Sequence, residues 1–106
     1  MTDDVKARIE QVIKGNKVTL FMKGTPDFPQ CGFSAVTADC LARVGAEFAH
    51  VNVLDDFDVR EGIKEYSSWP TIPQLYINGE FVGGCDIVRD LYEKGELEQL
   101  IKAAAA

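Results

Sequence analysis

At the start of the chain, Val5, Ile9, Val12 and Ile13 fall on one helical face, and Asp3 and Asp4 sit where the helix dipole favours negative charge. Gly15-Asn16 stops this helix. Val18-Thr19-Leu20-Phe21-Met22 is a short, β-branched apolar run of the kind that forms a buried strand. Residues 23–30 carry two prolines and a glycine and must be loop. Val36, Cys40, Leu41 and Val44 then recur at helical spacing, which predicts a second helix from Gly32 to Val44, ending at Gly45. Residues 48–54 read as a second strand, parallel to the first if the connection is an ordinary right-handed crossover.

Asp55-Asp56 is placed to cap a short helix running through Ile63 and Tyr66. Trp69-Pro70-Thr71-Ile72-Pro73 cannot continue it, because each proline pushes its predecessor toward extended backbone. Leu75-Tyr76-Ile77 and Phe81-Val82 flank Asn78-Gly79-Glu80, and an Asn-Gly pair between apolar runs signals a tight hairpin. Gly83-Gly84 ends the hairpin. Ile87, Val88 and Leu91, then Leu97, Leu100 and Ile101, predict two closing helices broken at Gly95, with residues 103–106 a frayed end. A βαβ unit followed by a β-hairpin makes an α/β protein: one mixed four-stranded sheet with helices on both faces, a thioredoxin-like layout. The 106 residues are one domain's worth, and no repeat or linker divides the span 1–106.

Charge narrows the partners. Asp and Glu number 17 against 11 Lys and Arg, a net charge of -6 that disfavours nucleic acid and anionic membrane surfaces. No apolar run approaches the roughly 20 residues of a membrane span. Thr2-Asp3-Asp4 after Met1 is the wrong chemistry for a signal peptide. A cytoplasmic location is expected, with a processed organellar form as the alternative. Three cysteines, Cys31, Cys40 and Cys85, are an odd number without paired spacing, which points to a reducing compartment and a free thiol. The lone His50 and the scattered cysteines offer no ligand pair at finger spacing, which disfavours zinc.

Cys31 lies where the first strand's loop feeds the second helix. A helix N-terminus favours thiolate over thiol, and Lys23, just past the strand, is placed to add positive charge. Cys31-Gly32-Phe33-Ser34 has serine where a Cys-x-x-Cys redox pair has its second cysteine, so no disulfide can close within the motif. Ahead of it stands Lys23-Gly24-Thr25-Pro26; after it come Trp69-Pro70-Thr71-Ile72-Pro73 and Gly83-Gly84-Cys85-Asp86. In these blocks, in this order and spacing, the sequence resembles the CGFS-type monothiol glutaredoxins over essentially its whole length.

The resemblance implies a glutathione site. In the family, the proline matching Pro73 follows a cis peptide bond facing the active cysteine, and the residue matching Ile72 presents its backbone as an edge for an extended peptide. Lys23, Arg60, Ile72, Cys85 and Asp86 match the family's glutathione contacts. Lys23 and Arg60 suit the glycyl carboxylate, although Arg60 also reads as a surface charge; Lys64, one turn later, is a weaker candidate. Asp86, after Gly83-Gly84, suits the γ-glutamyl amine, while the helix N–H groups there suit its carboxylate; helix capping is its other reading. Cys85 is either a second redox thiol or a backbone contact. Cys40 falls in the apolar stripe and reads as core, His50 as a structural histidine, and Trp69 as a buttress of the proline turn.

A [2Fe–2S] cluster usually takes four thiolates, more than one such chain offers. Two Cys31 sulfurs and two glutathiones complete the set, and the family implies that arrangement: a homodimer when cluster-loaded, with BolA-like and iron–sulfur acceptor proteins as partners. No apolar surface stripe is apparent, so the unloaded chain is expected to be monomeric. The alternative function is a glutathione-dependent monothiol oxidoreductase, in which Cys31 takes glutathione from a modified protein. Residues 25–29 lengthen the loop, which by resemblance disfavours that activity.

Overall fold

The computed structural model describes residues 1–105. Its elements are α1 (Asp3–Gly15), β1 (Val18–Met22), α2 (Gly32–Arg43), β2 (Ala49–Asn52), α3 (Phe57–Ser67), β3 (Gln74–Ile77), β4 (Glu80–Gly83), α4 (Cys85–Glu93) and α5 (Glu96–Ala105). The four strands form one sheet in the order β2-β1-β3-β4. β1 and β2 are parallel, and the other pairs are antiparallel.

β1 is buried at every position because it has a neighbour on each side and helices over both faces. Val18, Leu20 and Met22 pack with Ala38, Cys40 and Leu41 of α2, Val88 of α4 and Leu97 of α5. The alternate residue Phe21 points the other way, into Val5, Ile9 and Ile13 of α1 and Val59 and Ile63 of α3. This is the thioredoxin-like mixed sheet between two helical layers. Among the described residues, no helix is long and apolar enough to cross a membrane.

Local chemistry sets the boundaries. Thr2 caps α1 by accepting the Val5 N–H, and Asp56 caps α3 by accepting the Val59 N–H. Asn78 and Gly79 both take left-handed backbone, φ 52° and 79°, as a tight hairpin turn requires. β2 is shorter than the 48–54 run suggests: the Asp55 N–H turns back onto the Asn52 carbonyl at 3.1 Å. Val36 is also not a core residue; it is 37% exposed, while Ser34 and Thr37 are fully buried. Both hydroxyls have partners inside, which lets polar residues take the inward face. Residues 103–105 continue α5, and Ala104 packs into the core; alanine's helix propensity prevails over its low complexity. Ala106, the last of the stretch expected to fray, lies outside the described residues.

Phe21 is fully buried and meets Tyr76 edge-on, with ring centroids 5.6 Å apart. Phe21→Ala should cost about 3–5 kcal/mol, a large part of the roughly 5–15 kcal/mol that holds a domain folded. A denaturant titration would read this as a lower midpoint, and an unchanged midpoint would contradict the packing.

Candidate functional site

Cys31 is the N-cap residue of α2, with extended backbone at φ -152° and ψ 135°. Its sulfur makes no complete capping bond, yet it lies close enough to the first turn for the N–H groups there to act on it. The Ser34 N–H does most to hold the thiol below its ordinary range; burial opposes this, and the Phe33 N–H and the Lys23 ammonium assist. Cys31 is half-buried, whereas Cys40 and Cys85 are buried. Burial pushes the Cys40 thiol up, so it stays protonated and inert.

The loop between β1 and α2 is closed on itself. The Gln30 N–H donates to the Lys23 carbonyl at 2.9 Å, and Thr25 and Phe28 exchange backbone bonds at 3.1 and 3.3 Å. Gly24 sits at φ 90°, and a Cβ there would lie 2.5 Å from the Phe28 carbonyl oxygen, so glycine is required. Ser34 Oγ accepts the Lys23 N–H at 3.0 Å. The serine that replaces a second cysteine therefore ties the strand end to the helix that carries Cys31.

A groove of about 230 Å³ opens beside this helix start, lined by Phe33, Trp69, Ile72, Pro73, Cys85 and Asp86 among others. The Ile72–Pro73 peptide bond is cis. Among the described residues, the Ile72 backbone N–H and C=O have no backbone partner. Buried Gln74 fixes the approach to this bond by donating to the Trp69 and Thr71 carbonyls at 3.2 and 3.1 Å. Tyr76 in turn donates to Gln74 Oε1 at 3.2 Å, and burial pushes its phenol up to about 12.

α4 enters the groove behind Gly84, which as N-cap has no side chain to offer its first N–H groups. A Cβ on Gly84 would stand 3.3 Å from the Pro73 carbonyl oxygen and 3.4 Å from the Trp69 indole nitrogen, narrowing the cleft floor. Asp86 lies in the first turn without making a capping bond; its carboxylate is exposed and meets Arg89 at 3.6 Å. Helix capping is therefore not its role.

Ile72, Cys85 and Asp86 thus share one groove with Phe33, which lies in the first turn of the helix that Cys31 caps; Cys31 and Lys23 are not themselves among its lining residues. Arg60 lies on α3 and is not among the groove's lining residues. Its Nε is buried with no hydrogen-bond partner among the described residues, and the Glu61 carboxylate is 4.0 Å away. Lys64 is engaged by Glu61 at 3.1 Å. Cys40 belongs to the core, Trp69 leans on Phe81, and His50 is exposed on the edge strand β2. Gln74 and Asn52 escaped the sequence reading; a lone polar side chain beside apolar strand residues was their signal.

A single acidic thiol at a helix start, next to a cis-proline groove on this fold, defines a thiol protein of the thioredoxin class. Comparison with known proteins places it more closely. The glutaredoxin family model matches residues 18–82. The chain is 53% identical over 106 residues to the uncharacterized monothiol glutaredoxin ycf64-like of Synechocystis sp., covering 100% of this chain and 99% of that protein. It is 50% identical over 109 residues to the mitochondrial monothiol glutaredoxin-5 of Saccharomyces cerevisiae, covering 100% of this chain and 73% of that one. Reduced apo GrxS14 of poplar superposes with a TM-score of 0.83 at 51% identity, over 95% of this chain and 93% of that one. The chain belongs to the monothiol glutaredoxins.

Proposed function

We propose that this glutaredoxin binds glutathione in the groove beside Cys31, and that two chains together carry a [2Fe–2S] cluster as cargo. The observation that carries this reading is the pairing of one accessible, acidic thiol with a peptide-receptive groove, while the other two thiols are buried. The unpaired backbone of Ile72 suits the cysteinyl part of glutathione as a strand edge would. The uncapped N–H groups of α4 suit its γ-glutamyl carboxylate, and Asp86 suits the amine beside it. Lys23 suits the glycyl carboxylate; Arg60 would serve it by turning its unpartnered Nε toward the ligand.

Among the described residues, no three His, Cys, Asp or Glu side chains converge to hold a metal. A four-thiolate shell therefore calls for Cys31 from two chains and thiolates from two glutathiones. Phe28, Phe33, Leu54 and Phe57 are exposed on the segments that follow β1 and β2. They supply a face for a second chain, a BolA-like protein or an acceptor. The free thiol needs a reducing compartment, cytoplasmic or organellar, and relatives bear both mitochondrial and chloroplastic names.

Anaerobic reconstitution with iron, sulfide and glutathione tests the reading. The expected product absorbs in the visible and runs at twice the monomer mass. A colourless protein that removes glutathione from modified substrates would instead support the oxidoreductase reading, which rests on the same thiol. Asp86→Ala should lower glutathione affinity roughly tenfold or more, since a charge-assisted hydrogen bond contributes about 1.5–3 kcal/mol. Calorimetric titration with unchanged affinity would remove Asp86 from the site.

A further inference from the structure

Gln74 opens β3 and is fully buried, on the same face of the strand as Tyr76. Its Nε2 donates to the carbonyls of Trp69 and Thr71, at 3.2 and 3.1 Å. Its Oε1 accepts the Tyr76 hydroxyl at 3.2 Å. Both carbonyls can only accept, so the amide nitrogen must face them, and Tyr76 holds the amide oxygen on the other side. Residues 70–73 make no backbone–backbone bond among the described residues, so Gln74 is what fixes this stretch from within. Thr71 and Ile72 share one peptide unit. That unit is trans, and its C=O and N–H therefore point in opposite directions. With the Thr71 carbonyl held by Gln74, the Ile72 N–H is turned away from the interior, on the residue that lines the groove.

We propose that Gln74 is a positioning residue for glutathione: by holding the Thr71 carbonyl inside, it aims the Ile72 N–H at the cysteinyl carbonyl of the bound tripeptide. The proposal rests on the glutathione reading above and names the device that orients its strand edge. Without the brace, this peptide unit is free to rotate about its flanking bonds, and ordering it again costs binding free energy. The γ-glutamyl end lies outside the reach of Gln74, since in that reading it rests on the α4 N–H groups and Asp86.

The test compares two ligands on the full chain, kept anaerobic and free of iron. Glutathione has a cysteinyl carbonyl; γ-glutamylcysteamine keeps the γ-glutamyl head, the amide N–H and the thiol but has no carbonyl at that place. Gln74→Met preserves an unbranched side chain of similar length and removes both donors. NMR titration should show glutathione affinity falling about threefold to tenfold in this variant, the net contribution of one hydrogen bond. γ-Glutamylcysteamine should bind both proteins alike. A loss shared equally by the two ligands would mean a general loosening of the fold, and no loss for either would mean that the N–H keeps its aim without Gln74; each overturns the proposal. Amide exchange in the unchanged protein gives an independent answer should the variant fail to fold. The Gln74 carboxamide protons should exchange slowly, and the Ile72 N–H quickly until glutathione slows it. A freely exchanging carboxamide, or an Ile72 N–H already protected in the free protein, would overturn the proposal. If glutathione does not bind at all, the reading of the site fails, while the two exchange rates of the free protein still decide whether Gln74 sets the direction of this peptide.

Discussion

Cys31→Ser should give a folded protein that takes up no cluster at all on reconstitution. Two features of the site make the effect complete. A serine hydroxyl does not ionise near neutral pH, so the thiolate that the α2 N-terminus favours is lost outright. Neither other cysteine is placed as Cys31 is, since Cys40 lies in the core between sheet and helices and Cys85, which lines the groove, is buried at the start of α4. Stability should change little, because the Cys31 side chain makes no capping bond and serine is itself a good N-cap. Cys40→Ser is the matched control and should keep the cluster, with a lower denaturation midpoint from placing a hydroxyl in an apolar core. Visible absorption and iron content after reconstitution read both variants, and thermal melting checks that each is folded. A coloured Cys31→Ser protein would remove Cys31 as the ligand, and with it the shared-shell arrangement.

The parts of this molecule that could be read from the sequence are those where local pattern and tertiary need agree. β1 is legible because its apolar run matches a strand covered on both faces, and the hairpin because Asn78-Gly79 has the backbone freedom that the turn uses. The site blocks were legible as motifs, but what holds them together was not. Ser34, Asn52 and Gln74 act through hydrogen bonds to Lys23, Gly24, Leu54, Trp69 and Thr71, and those to Lys23 and Gly24 join segments well apart in the chain. Periodicity records which face is apolar and says nothing about which polar atom finds a distant partner. Val36 shows the same limit: the apolar stripe places Cys40, Leu41 and Val44 against the core, but Val36 itself is exposed, because Ser34 and Thr37 are satisfied inside. Arg60 shows another. Resemblance names it a glutathione contact, and only the structure shows that its side chain lies on α3 beside Glu61, outside the residues that line the groove.

Removing glutathione from the loaded protein should discharge the cargo and return the chain to its monomer mass of 11.7 kDa in one linked step. If the shell needs two protein thiolates and two from glutathione, then the dimer binds what the monomer cannot complete. A ligand bound only by the assembled form stabilises it by RT ln(1 + [L]/Kd), about 2.7 kcal/mol at a hundredfold excess over Kd. That contribution falls away as the free ligand is diluted, and two molecules per dimer steepen the fall. Gel filtration into anaerobic, thiol-free buffer should therefore bleach the visible absorption and halve the apparent mass together, and restoring glutathione with iron and sulfide should reverse both. The buffer must lack dithiothreitol, whose paired thiols can replace the tripeptide as ligands. Phe28, Phe33 and Leu54, exposed around the site, set the competing expectation. If burying them were enough to hold two chains together, the mass would stay doubled after the colour had gone, and dimerisation would be a property of the apolar face. If the colour persisted with no stoichiometric small thiol, ligation would have to come from the protein's own cysteines, with Cys85 leaving its buried place to join Cys31.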